Sequence, residues 1–265
     1  MRAYRLVLAL VIGAAMCASA QDLTPPKTLD EAQQDNNYAE LLNAVRLTPE
    51  QLVELLGAQT VIETDGALRP DEAAALAEVR LGILRGLSSD EAIRALGDRQ
   101  QIFGQAQTRF EQLVQAEVKN VMEYLTDEQR SAMAWRASPA RALDNMVAAV
   151  GQGRKVSEEQ WRAMREQLTT AFGGLTSQLE PAAKVTPDQI SALLDTARAM
   201  DDQTFAARQS ALPREWAQTI LPTTIQRLAN QEYRDQQVKG LVRQLITYRR
   251  GQLLIQAKQK AGAAH

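Results

Sequence analysis

The residue types that carry most enzyme chemistry are scarce in this chain. Its one histidine is the last residue, His265, and its one cysteine is Cys17. Ser–His nucleophilic catalysis needs a positioned imidazole base, and zinc-type metal sites need imidazole or thiolate ligands. Neither has the material here, so no catalytic residue, no metal and no cofactor is expected. Asp201-Asp202 lacks the ligand spacing of a calcium loop and reads as a solvated turn. Paired carboxylates can hydrolyse glycans, but no glutamate stands out in the sequence as one held for that work. Gly151-Gln152-Gly153-Arg154-Lys155 is glycine-rich and basic, yet it follows no strand and lacks the Lys-Ser/Thr of a phosphate loop, so it reads as a linker. What remains is binding. Trp161 and Trp216 read as core anchors, and Trp135, in Met133-Ala134-Trp135-Arg136, as a core residue or an exposed partner-binding aromatic. Arg243, Arg249 and Arg250 lie in a basic C-terminal stretch, which is a solvated face or a partner-binding one.

The elements that must position these residues are helices. The chain has 45% hydrophobic but only 5% aromatic residues, and no run alternates apolar and polar residues as a half-buried strand does. One local pattern recurs five times: an aliphatic residue, a Ser or Thr, two residues, then Gln or Glu. It stands at Leu47-Thr48-Pro49-Glu50-Gln51, at Leu87–Glu91, at Leu125-Thr126-Asp127-Glu128-Gln129, at Val156–Gln160 and at Val185–Gln189. The hydroxyl is an N-cap and the residue three on closes a capping box, each cap stabilising its helix by about 1 kcal/mol. Pro49 and Pro187 occupy the first helical position, where a missing N–H costs nothing. The clearest helix spans Asp98–Tyr124, with Ile102, Phe103, Ala106, Phe110, Leu113, Val114, Val118, Val121 and Met122 on one stripe. A second long helix is expected over Thr223–Lys260, with Gly251 as a soft point.

The first 20 residues read as an export signal: Arg2 and Arg5, an apolar stretch from Leu6 to Met16, then Ala18-Ser19-Ala20 before Gln21. Leu6–Ala20 is shorter than the roughly 20 residues that a transmembrane anchor requires. Met16 is a poor neighbour for lipid attachment at Cys17. Cleavage after Ala20 therefore predicts a periplasmic or secreted protein with no cysteine and no integral membrane span, and export disfavours nucleic acid as a partner. Residues 21–29, with Pro25-Pro26, read as an extended leader, 30–150 as one helical domain, and 151–265 as a second helical region. Residues 21–150 carry 12 basic and 21 acidic side chains, against 16 and 11 in 151–265. The basic stretch from Arg227 onward is thus expected to dock on the acidic half, within one chain or between two. The expected fold class is all-α, with helical hairpins packed as an elongated bundle after the cleaved signal.

The motif Leu47-Thr48-x-x-Gln51, followed by a hairpin and a long helix that runs into Leu125-Thr126-x-x-Gln129, resembles the periplasmic LTXXQ family, which includes the Spy and CpxP chaperone-like proteins. Asn120–Gln129 is the closest-looking part, and the resemblance covers residues 47–134. It implies an α-helical protomer, often a cradle-shaped homodimer, that binds unfolded or stressed envelope proteins without ATP. The alternative is a structural or adaptor protein of the envelope that holds one defined partner.

Overall fold

The hydroxyl-led segments do mark helix starts. Thr48, Ser88, Ser157 and Thr186 each accept a bond from the backbone N–H three residues on. Gln51, Glu91, Gln160 and Gln189 each accept one in return from the N–H of the cap residue. Thr126 directly precedes a helix that begins at Asp127. Thr28 and Asp201 are further side-chain caps. Because Thr28 starts a helix at Leu29, the expected extended leader does not reach residue 29. The computed structural model describes Pro26 and residues 28–263, so the expected export signal lies outside the described residues. Among the described residues there are 14 α-helices and no strand, the all-α class read from composition and periodicity. No helix among them is long and apolar enough to cross a membrane.

The chain forms two compact units, one taking residues up to Thr126 and from Lys239 onward, the other Asp127–Val238. In the first lie α1 (Leu29–Val45), α2 (Pro49–Asp65), α3 (Pro70–Leu84), α4 (Ser89–Arg94) and α5 (Gln100–Tyr124). The second holds α6 (Asp127–Ala137), α7 (Ala142–Gly153), α8 (Glu158–Leu179), α9 (Pro187–Ala199), α10 (Asp202–Arg208), α11 (Leu212–Ile220) and α12 (Pro222–Ala229). Helix α13 (Gln231–Thr247) carries the chain back to the first unit, which α14 (Gly251–Ala263) completes.

Within the first unit, α2 and α3 pack on α5, and α14 lies against α1 and α2. The buried positions of α5 are Ala106, Val114, Val118, Val121 and Met122 of the expected stripe, together with Glu117, which lies outside it. The second unit has its own core, in which Trp135, Trp161, Phe172, Phe205 and Trp216 pack with Leu143, Met146, Ile190, Leu194 and Ile220.

Two expectations about connectivity are corrected. Gly151-Gln152-Gly153 is no linker between domains: it is the last turn of α7, and the units divide elsewhere. A Cβ on Gly153 would stand 2.6 Å from two ring carbons of Trp161. That glycine therefore marks close approach of α7 and α8, a use that in sequence looks the same as a break. The expected helix over Thr223–Lys260 is three helices. It is interrupted at Asn230, whose Oδ1 accepts from the Tyr233 N–H at 3.0 Å, and again over Tyr248–Arg250.

Candidate functional site

The motif residues form a joint between helices. Thr48 Oγ1 accepts from Gln51 N–H at 3.3 Å, and Thr48 N–H donates to Gln51 Oε1 at 2.9 Å. The other end of the same amide, Nε2, donates to the Tyr124 carbonyl at 2.7 Å. Tyr124 is the last residue of α5 and immediately precedes the second motif. Leu47 and Leu125, the leading residues of the two motifs, are both buried, as is Gln129. A Glu closes the box at Ser88–Glu91 equally well, but a carboxylate cannot donate to a carbonyl. The Leu-Thr-x-x-Gln spelling at 47–51 thus serves two bonds where a plain cap serves one.

The basic C-terminal stretch docks inside the first unit. Asp35, 11% exposed, accepts from Arg250 Nε at 3.0 Å and from Tyr248 Oη–H at 2.7 Å. Burial pushes the Asp35 carboxyl up, but Arg250 and Tyr248 outweigh burial and hold it below its ordinary value. Tyr248 is pushed up to about 12 by burial and by the same carboxylate. One layer deeper, Tyr38 Oη donates to the Leu245 carbonyl at 3.0 Å, and Gln59 Nε2 donates both to that carbonyl and to Tyr38 Oη. Gly251 sits against Gln59 and Tyr38 so closely that a Cβ would collide with both. Arg243 adds a two-pronged pair to Glu111 on α5, at 2.6 and 2.7 Å. So Arg243 and Arg250, two of the candidate partner-binding arginines, hold this unit's own carboxylates, while Arg249 is exposed in the turn between α13 and α14. Trp135, the candidate partner-binding aromatic, is buried, with its indole N–H 3.2 Å from Asp144.

A different surface of the first unit stands out. Helix α3 buries Ala75 and Val79 against Ala92, Leu96 and Phe103. The rest of the helix is also apolar: Leu84, 75% exposed, and Leu81 lie away from the buried line, Leu76 and Ile83 are exposed along its flank, and Leu87 is exposed just past the helix end. Leu76 and Ile83 recur at helical spacing on one stripe. The hairpin that presents them is firmly set. Gly86, at φ 94°, closes α3 with its N–H on the Ile83 carbonyl and the Leu87 N–H on that of Gly82, the six-to-one and five-to-two pair of a left-handed helix end. Gly82 admits Ala92 of α4 so closely that a Cβ would lie 2.9 Å from its Cβ. At the other end, Arg109 of α5 donates to the carbonyls of Asp65 and Ala67 and to Glu72, which also accepts from the Arg69 N–H.

The second unit contains a cleft of about 540 Å³ between α8 and α9, lined by Arg154, Glu158, Trp161, Arg162, Arg165, Asp195 and Arg198. Arg154 closes the end of α9, donating to the Ala197 and Arg198 carbonyls at 3.0 and 2.9 Å and lying over the Phe205 ring. Arg198 pairs with Glu158 at 2.8 Å and lies 5.0 Å over the Trp161 ring, and Arg165 pairs with Asp195 at 2.9 Å. Arg154, which reads in sequence as part of a linker, is thus a contact of α9 and of Phe205, and partners that far along the chain leave no local trace. Among the described residues no three His, Cys, Asp or Glu side chains group as a metal site.

No protein-family model, no curated protein and no solved structure matches this chain.

Proposed function

We propose that this protein is exported to the periplasm or beyond and there holds polypeptides that expose apolar segments, in the ATP-independent, non-enzymatic manner of the LTXXQ chaperone-like proteins it resembles. The observation that carries the reading is the run of exposed aliphatic side chains on and just past α3, Leu76, Leu81, Ile83, Leu84 and Leu87, on a fixed hairpin. Leu84 and its neighbours on the helix surface are large aliphatic side chains left in water, and apolar side chains exposed in this way mark α3 for contact with apolar matter. The Leu-Thr-x-x-Gln joint at Gln51 supports the resemblance, because it ties the first motif to Tyr124, the residue that leads into the second. The test is suppression of aggregation of several unrelated unfolded proteins by the mature chain. Leu84→Ser combined with Leu81→Ser should weaken it severalfold, with helicity and melting temperature unchanged.

The second reading is an adaptor that holds one defined partner, or a second copy of itself, on the same surface. What favours it is the rigidity of the hairpin, set by Gly82 against Ala92 and by Arg109 at its base. A fixed surface suits one complementary partner better than many. Retention of a single protein from envelope extract, with no suppression of aggregation, decides for the adaptor. The export assignment has its own test: the N-terminal residue of the protein recovered from its producing cell should be Gln21.

A further inference from the structure

We propose that the arginine-lined cleft between α8 and α9 is an anion site that takes a phosphate dianion. Four guanidinium groups line it against two carboxylates. Those carboxylates are already engaged, Glu158 by Arg198 and Asp195 by Arg165 and by the Trp161 indole N–H at 3.4 Å. Arg154 is held by two backbone carbonyls and by Asp202 and is 9% exposed; because Asp202 is fully exposed and solvated, it offsets only part of the guanidinium charge fixed at the wall. Arg162 is different. It is exposed on α8, and among the described residues no hydrogen bond or ion pair engages it; its charge reaches Glu158 only through space. The buried Nε of Arg165 likewise has no acceptor. The cleft therefore holds an unengaged guanidinium fork beside further arginine charge.

Phosphate suits that donor set better than a carboxylate does. One carboxylate is met by one fork, whereas a group with three oxygens and two charges can draw on several guanidinium groups at once. Arg198 keeps its pair with Glu158, but that carboxylate is 82% exposed and screened by water while the Arg198 guanidinium is 18% exposed at the wall, so its positive charge is only partly offset there. The wall is also set in place beforehand. Trp161 is buried between Gly153 and Arg198, and Arg154 fixes the end of α9, so binding needs little ordering. A volume of about 540 Å³ leaves room for an organic group attached to the phosphate.

The test is thermal unfolding of the full mature chain, followed by tryptophan fluorescence with Trp161 in the wall of the cleft. Inorganic phosphate and glycerol phosphate are titrated against sodium chloride of equal ionic strength. A saturable rise in melting temperature beyond the chloride control is expected. Arg162→Gln should weaken the half-saturation concentration about tenfold, and Arg162→Gln with Arg198→Gln should abolish the rise. Should the double variant fail to fold, the single variant alone decides. Isothermal titration with vesicles of phosphatidylcholine, with and without phosphatidic acid, separates the two sources of the group. Binding to phosphatidic acid vesicles that Arg162→Gln weakens identifies a lipid headgroup as the source, and response to the soluble phosphates alone identifies a small molecule. No rise beyond chloride with either probe, or a rise unchanged in Arg162→Gln, overturns the proposal.

Discussion

Changing Gln51 to Glu separates the two bonds that the Gln51 amide makes. A glutamate keeps the acceptor that the Thr48 N–H uses at 2.9 Å, but it has no hydrogen to offer the Tyr124 carbonyl at 2.7 Å. A lost hydrogen bond costs about 1 kcal/mol, and an acceptor left facing an acceptor adds about as much again, for a total of about 2 kcal/mol at neutral pH. Thr48→Ala, which removes the cap alone, should cost about 1 kcal/mol. With a urea slope of about 2 kcal/mol/M, the Glu variant's midpoint falls by about 1 M and the Ala variant's by about half that. Far-UV circular dichroism follows the helices of both units, while Trp135, Trp161 and Trp216 all lie in the second, so loss of ellipticity ahead of the tryptophan signal belongs to the first. Acid supplies a further check. The Ser88 hydroxyl and cap N–H lower the carboxyl at Glu91, but contact with the Tyr124 carbonyl favours the neutral acid, so the folded-state pKa of the introduced Glu should be raised above that of a capping Glu without such a neighbour. The penalty is therefore full above that raised pKa and fades as pH falls through it, since the protonated acid can both accept from Thr48 and donate to Tyr124. A Gln51→Glu protein as stable as wild type at pH 7, or equally weakened at pH 7 and pH 5, would refute the two-bond reading of the motif.

The Asp35 carboxyl is held below its ordinary value, so its contribution should be present at neutral pH and lost as pH falls below about 4, where the unfolded chain takes up the proton first. Asp35→Asn should flatten that acid limb and cost about 2 kcal/mol at pH 7, because an uncharged amide is a weaker acceptor for Arg250 and Tyr248 than the carboxylate; urea midpoints across pH measure both effects. Gly153→Ala should destabilise the second unit by about 2 kcal/mol despite the better helix former, since the new methyl meets the Trp161 ring, and tryptophan fluorescence should report the loss. Tyr38→Phe should cost about 1.5 kcal/mol in the circular dichroism transition, the Leu245 carbonyl losing one of its two donors and Gln59 one of its acceptors.

The parts of this fold that could be read from sequence are those set by near neighbours. A Ser or Thr followed three residues later by Gln or Glu starts a helix through bonds inside one turn, and the stripe along α5 follows from helical spacing alone. The parts that could not be read depend on who arrives from far along the chain. Gly153 has the composition of a linker and is a helix contact because Trp161 packs on it. Arg243 and Arg250 have the composition of a solvated face, and each finds a carboxylate more than 130 residues away. The leucines of α3 were hidden for the opposite reason. A helix apolar on both sides shows no periodic contrast, so neither the buried side nor the exposed one announces itself.

Charge asymmetry was the one long-range feature that the sequence did signal, and its physical form differs from a diffuse attraction between two halves. An excess of positive charge spread over a helix would be screened beyond about 8 Å at physiological ionic strength. Here the contacts are made close: Asp35 takes Arg250 and Tyr248, Glu111 takes Arg243, and Glu63 accepts from Gln252. The break over Tyr248–Arg250 is what permits this. A continuous helix through those residues could not turn α14 onto α1 and α2 while Arg243 reaches α5 from α13. The interruption also frees backbone groups near the turn, and the Leu245 carbonyl finds Tyr38 and Gln59 there. Gly251, which has no side chain to obstruct those two, is the residue at which α14 can begin. The first unit is thus closed by residues at both ends of its discontinuous sequence, and its basic side chains serve first as internal partners.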